Sequence, residues 1–445
     1  MTRPEAFGAK GDGRTDDTAA IQAALDKAGP GPVVLEGRHY RVGATLLVPS
    51  GATLLGEGAT LLCVGESGPV LASEAWARPG AALRGRTRVT GLRIEFAADD
   101  NTRDGILLHD FWSSLDGCEV VRPGGRGIVL AALDRAGTPA GGTLVENRIL
   151  GCTVRDAGDT AFALGEPANG KLTDGTLAGC LASLREGVTA PAVVIGHAAG
   201  WTVRDLHTYG GRPDTAVELR QGYFTRVAGL YIEGFGRFGL ALPAAQTSIV
   251  VADVQVAVRR PAPGSAFLMV SAHRDFTEPH VSLSNVVCFA DEAGEGGEAV
   301  FNDGGRVRLD GMAPVRSGPG FPSAPPDASP ALGETGRRVV PFAGRAAQRI
   351  VVARAEDAGA FAQGFVVAVA GRAADGGLAT AFTGALTWTR GSADAHAVLV
   401  DLLPFGTPYG FTALPTASFE RDRDGLALVL AFATASSGPG QVTVG

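Results

Sequence analysis

The chain has 445 residues, of which 45% are apolar and 7% aromatic, and its formal net charge is −7. That length accommodates one elongated solenoid or two to three domains, and no apolar run approaches the ~20 residues of a membrane span. A negative balance argues against nucleic acid as a partner, because that binding rests on clustered cations. The cysteines Cys63, Cys118, Cys152, Cys180 and Cys288 are widely spaced with no CxxC, so buried free thiols are expected, not a disulfide framework or a zinc site. Between Met1 and Phe7 there is neither the basic nor the apolar stretch of a signal peptide, so the expected location is the cytoplasm or a virion.

The first predicted element is a helix. A turn at Gly11, Asp12 and Gly13 leads into it, Thr15 or Asp16 is its expected N-cap, and Gly29 ends it. Ile21, Ala24, Leu25 and Ala28 form its apolar face. The whole segment, Phe7-Gly-Ala-Lys-Gly-Asp-Gly-Arg-Thr-Asp-Asp-Thr-Ala-Ala-Ile-Gln-Ala-Ala-Leu25, resembles the N-terminal signature of the pectate-lyase superfamily. The resemblance implies a right-handed parallel β-helix active on polysaccharides, with this helix plugging its open end. The matching residues serve that cap, so they bear on fold more than on reaction.

From residue 33 the apolar pattern has period two, in short runs between glycine or polar corners. One kind of run recurs, beginning Gly105-Ile-Leu-Leu-His109, Gly127-Ile-Val-Leu-Ala131, Ala161-Phe-Ala-Leu-Gly165 and Ala192-Val-Val-Ile-Gly196. It continues as Ala216-Val-Glu-Leu-Arg220, Gly239-Leu-Ala-Leu-Pro243, Ala266-Phe-Leu-Met-Val270 and Ala299-Val-Phe-Asn-Asp303. Their second residues are spaced by 22, 34, 31, 24, 23, 27 and 33, as expected of stacked rungs whose corners can swell. The second and fourth places should face the core, and the third and fifth should face out. No helical pattern follows residue 28, which excludes a doubly wound α/β fold. The pattern therefore predicts an N-terminal cap over 1–32 and a single-stranded parallel β-helix over 33–312.

Six prolines fall between Ala313 and Gly336, which predicts a linker over 313–337. Residues 338–445 alternate apolar strands with Gly- and Asp-rich turns, as in an antiparallel β-sandwich. A β-helix followed by a sandwich looks like the layout of phage tailspikes and related trimers. A homotrimer is also expected because Leu107, Val129, Val194 and Leu268 occupy outward places and need covering.

Outward places that carry chemistry are few. Glu218 and Arg220 project together from one strand, as a groove floor or as a surface ion pair. A shift of 24 residues stacks Tyr231 over His207 and Glu233 over Tyr209, with Asp214 in the intervening corner. Tyr and His suit β-elimination from a uronate whose carboxylate Arg220 neutralises, with Tyr209 and His197 as further substrate contacts. Glu218, Glu233 and Asp214 suit hydrolysis, which needs two carboxyl groups. Asn101-Thr-Arg-Asp-Gly, Gly158-Asp-Thr and Gly196-His197 follow the order of the three polygalacturonase motifs only partially. By spacing, Asp104 and Asp159 lie more than two rungs apart, too far for one catalytic centre, so that likeness is set aside. No cofactor or metal is expected. The function indicated is cleavage of a polysaccharide or oligosaccharide by a tailspike-like depolymerase, lyase or glycoside hydrolase. The alternatives are an intracellular sugar-modifying enzyme, of epimerase or fructotransferase type, and a non-catalytic glycan-binding spike or adhesin.

Overall fold

The computed structural model describes, with side chains, residues 1–56, 58–65, 68–80, 83–97, 101–166, 169–246, 248–258, 265–271 and 281–284, and it describes the backbone of further strands between 272 and 444. The chain divides into two compact units, residues 1–322 and 323–445.

The cap helix α1 runs from Thr18 to Ala28, later than its sequence signals place it, because Asp12–Asp16 is drawn into a parallel strand beside His39–Val42. Asp17, not Thr15 or Asp16, is the N-cap residue, and its carboxylate accepts from the Lys10 and Gly11 amides at 2.7 and 3.0 Å instead of capping α1. Gly29 closes the helix in the left-handed region (φ 55°), its N–H donating to Leu25. Ile21, Ala24 and Leu25 are fully buried and Ala28 packs at the margin, so the helix seals the first rungs as expected.

The rungs form a right-handed parallel β-helix. Its described strands make a ten-stranded and a nineteen-stranded sheet, all parallel. In the ten-stranded sheet Ile106, Ile128, Phe162, Val193, Val217 and Leu240 stack in register, as their spacing predicts. One step differs: Leu240 pairs with Leu268, not Phe267, and Leu268 with Val300. Gly239 leaves room for the Phe267 ring, so Phe267 and Leu268 are both buried and Met269 turns outward. The stack continues through Val315–Ser317, which pairs with the strand His280–Ala290 inside the segment expected as a linker; residues 318–337 of that segment lie outside the described residues.

The outward apolar places do not all call for a partner. Leu107 and Val129 are buried together with Ala72 and Ala131, with Trp76 of the short helix α2 (Glu74–Ala77) packed against them. Leu268 lies in the core, and of the four only Val194 is half-exposed. The sequence-based argument for a homotrimer therefore loses most of its footing.

Two corners recur on nearly every rung, each built on one residue with positive φ. The corner between the two sheets uses Arg86, Trp112, Glu146, Asp174, Gly200, Phe224 and Ser248. The corner inside the nineteen-stranded sheet uses Gly91, Gly117, Gly151, Gly179, Asp205, Gly229 and Asp253. Both keep the same rung-to-rung spacing, and both close with the same bond. Trp112 N–H donates to Val145 at 2.8 Å in the first, and Gly117 N–H to Leu150 at 2.9 Å in the second.

Two buried charged groups, Asp110 and Arg103, are satisfied by hydrogen bonds within the rungs. Asp110 accepts from the Ser50 and Thr87 hydroxyls (2.9 and 2.6 Å) and from the Gly85 amide (3.0 Å), so it ties a corner. Arg103, 1% exposed, donates to the carbonyls of Val64, Gly68 and Pro69 at 2.8, 3.1 and 3.4 Å, and burial lowers its pKa. Cys63, Cys118, Cys152 and Cys180 are free and buried, as expected; Cys288 lies outside the described side chains.

The second unit contains antiparallel strands only: a five-stranded sheet and a three-stranded sheet among its described residues. Among the described residues no helix is long and apolar enough to cross a membrane.

Candidate functional site

A groove of about 280 Å³ opens on the outward face of the ten-stranded sheet. Inward side chains of its strands (Leu130, Phe162, Leu164, Val193, Ile195) fill the core, while the outward Val129, Ala163 and Val194 are small or tightly packed and form the floor. Arg126, Asp159, Glu166 and Arg220 stand around that floor. Gly158 places Asp159, because a Cβ there would meet the Gly124 carbonyl at 2.3 Å.

The charges are held in place. Arg126 donates to Asp104 through Nη2 at 2.7 Å, and its amide donates to the same carboxylate at 2.7 Å. Burial pulls the Arg126 pKa down, but the Asp104 hydrogen bond and the charges of Asp104, Asp159 and Glu166 outweigh it and raise the net value. Arg220 donates twice to Glu218, at 2.8 and 3.0 Å, a bidentate pair that fixes its plane. Glu166 accepts from the Ala132 and Leu133 amides at 2.8 and 3.4 Å, and Asp159 accepts from the Thr160 amide at 2.7 Å. Both carboxyl groups thus rest on backbone donors and neither forms an ion pair among the described residues.

A second cluster lies on the nineteen-stranded sheet. Tyr231 pairs with His207 in register, as the 24-residue shift predicts. Their rings stack at 4.5 Å and 22°, with Tyr209 at 5.3 Å from His207, and the His207 Nε2 lies 3.2 Å from Glu233. Asp214 sits exposed in the corner that leads back to the ten-stranded sheet, its carbonyl accepting from the Arg237 and Phe238 amides. His197 lies against Gly170; its Nδ1 is buried without a hydrogen-bond partner, and burial lowers its pKa.

The sequence-predicted residues thus divide. Glu218 meets Arg220, and His207 meets Tyr209, Tyr231 and Glu233, but Glu218 and Glu233 belong to different sheets. Arg126 and Glu166 carry no expectation from sequence, and Asp159 is set aside there with the polygalacturonase likeness. A signal existed: Asp104, Arg126 and Thr160 each precede by two places the stacked Ile106, Ile128 and Phe162, so Asp104 and Thr160 are only two rungs apart and Arg126 stands between them.

Residues 5–68 match the family model described as Rhamnogalacturonase A/epimerase, pectate lyase-like, which agrees with the resemblance of the N-terminal signature. The chain is 42% identical over 74 residues to a capsule K30/K69-specific Depolymerase 1 of Klebsiella phage K5-2. It is 48% identical over 62 residues to Alginate lyase 7 of Azotobacter vinelandii. These stretches cover 16% and 12% of this chain, and only 9% and 7% of those two proteins. Among solved structures, the tailspike protein of Acinetobacter phage vB_ApiP_P1 aligns over 100% of this chain and 86% of its own, at 13% identity and a TM-score of 0.49.

Proposed function

We propose that this chain, a parallel β-helix with a pectate-lyase-like N-terminal segment, binds and cleaves an acidic polysaccharide in the groove of its ten-stranded sheet. The observation that carries this reading is the pairing, over one floor, of two guanidinium groups with two carboxyl groups. Arg126 and Arg220, each oriented by its own acid (Asp104 and Glu218), contact the carboxylates of the sugar chain. Asp159 and Glu166 supply the acid and the base or nucleophile of glycoside hydrolysis. The likeness of short segments to a capsule depolymerase and an alginate lyase supports a polymeric substrate.

A second reading, elimination on the nineteen-stranded sheet, is favoured by the His207–Glu233 hydrogen bond and the His207–Tyr231 stack. There Glu233 orients His207, His207 takes the proton beside the uronate carboxyl group, and Tyr231 protonates the leaving oxygen. Tyr209 borders that strip.

Incubation with a panel of capsular and uronate polymers tests both. New reducing ends without ultraviolet absorbance, lost in Glu166→Gln, support the groove. Unsaturated product lost in His207→Ala but kept in Glu166→Gln supports elimination. Retention of polymer with no product at all means a glycan-binding spike. On this reading the assembly is a tailspike-like trimer carried on a virion, and sedimentation at three times the 45.3 kDa chain mass is the expected result.

A further inference from the structure

We infer that the corner between the two sheets is a second glycan-binding surface, a ridge that holds an acidic polysaccharide along the β-helix axis, outside the lining of the groove. The two corner ladders provide the comparison. Both demand a left-handed residue at each rung, and glycine meets that demand without steric cost. The corner inside the nineteen-stranded sheet uses only Gly and Asp, whereas the ridge sets Trp112 (φ 52°) and Phe224 (φ 48°) in the same conformation. The fold does not require aromatic rings there, and strain kept against a cheap alternative points to what the side chains do.

Those rings face solvent. Trp112 is 48% exposed, Phe224 61%, and Tyr223 beside it 37%. Four rungs separate Trp112 from Phe224, roughly 19 Å at about 4.8 Å per rung. The column next to the ridge runs in register through Arg88, Ser114, Arg148, Thr176, Thr202 and Arg226. Arg88 and Arg226 are exposed and form no ion pair among the described residues; Arg148 lies 3.7 Å from Glu146, and Arg86 covers the Trp112 ring at 5.3 Å. Glu146 and Asp174 are the acids on the ridge, and Asp174 accepts from the Thr173 hydroxyl at 2.7 Å.

Rings set apart along a line, with hydroxyls and free guanidinium groups beside them, do not make the contiguous apolar core of a protein interface. They fit a thin, hydrated, anionic chain whose sugar rings stack on Trp112 and Phe224 and whose acid groups meet Arg88 and Arg226. The class of ligand rests on the proposed function; the place does not.

The test is electrophoresis of the full chain through gels containing polygalacturonate, hyaluronan or neutral dextran, comparing native protein with the double variant Trp112→Gly/Phe224→Gly. The expected result is retardation of native protein in an acidic gel, at least tenfold weaker for the variant, with an equal or higher melting midpoint because glycine relieves the backbone. A merely structural pair of rings would lower that midpoint. Equal retardation of the two proteins, or none of the native protein in either acidic gel, overturns the inference. So does a native oligomer that the variant dissociates, since the ridge is then a contact between copies. Glu166→Gln keeps the two ideas apart: if it still cleaves while the ridge variant loses polymer, the groove assignment fails and the ridge stands.

Discussion

Two outward faces of the β-helix carry charges and use them differently. On the nineteen-stranded sheet Arg93 bridges Glu95 and Glu119, Arg155 also binds Glu119, and Arg122 lies 3.4 Å from Glu95. Glu95 and Glu119 each meet two guanidinium groups on their own or a neighbouring rung, so this patch of charge closes on itself. On the ten-stranded sheet Asp104 and Glu218 each hold one arginine, and Asp159 and Glu166 rest on backbone amides above a depression. A charge satisfied by its neighbours is a surface; a charge steadied by the backbone and left facing a groove is available to a ligand.

The comparison is broken most directly by activity. Glu166→Gln or Asp159→Asn should lower turnover at least ~100-fold, the scale of one acid–base contribution, whereas Glu119→Gln should leave it unchanged. Equal losses from both faces, measured on one confirmed polymer, would remove the distinction. A structural counterpart is Arg103, whose guanidinium serves three carbonyls and no carboxylate. Arg103→Ala should cost at least about 2 kcal/mol in denaturant unfolding, because charged hydrogen bonds are lost and carbonyls are left buried. Arg103→Lys should recover little, since a point charge cannot span the fork.

Smaller effects sharpen the picture. His197 has a pKa lowered in the folded state by burial, so the unfolded chain binds the extra proton first. Stability should therefore fall as pH drops below the ordinary histidine value, and His197→Gln should flatten that slope in thermal melts taken at stepped pH. The smallest change is expected from Glu119→Ala: less than about 1 kcal/mol, as for other partly exposed ion pairs, read in the same denaturant assay.

What the chain discloses before folding follows from how local each feature is. The cap helix and the apolar stack are written in periodicity, so Ile106, Ile128, Phe162, Val193 and Val217 could be aligned by counting, and so could Tyr231 over His207. The Phe267/Leu268 step was hidden because it depends on space above Gly239 and not on pattern. Covering of Leu107 by Trp76 depends on a four-residue helix in a loop. The groove was obscured for a similar reason: Asp104 and Asp159 are 55 residues apart in sequence, and only rung counting through Arg126 brings them within two rungs of each other.

The inward cysteines give the molecule an internal gauge. Cys118, Cys152 and Cys180 each follow a corner glycine (Gly117, Gly151, Gly179), which places one thiol on each of three successive rungs. All three are buried, and burial pushes the Cys180 thiol up to about 11. Such thiols react with a labelling reagent only when their own rung opens. The order in which the three become modified would therefore record whether the solenoid unzips from one end or parts all at once. That is a kinetic history, legible by mass spectrometry, which a chain of equal stability without that column would not leave.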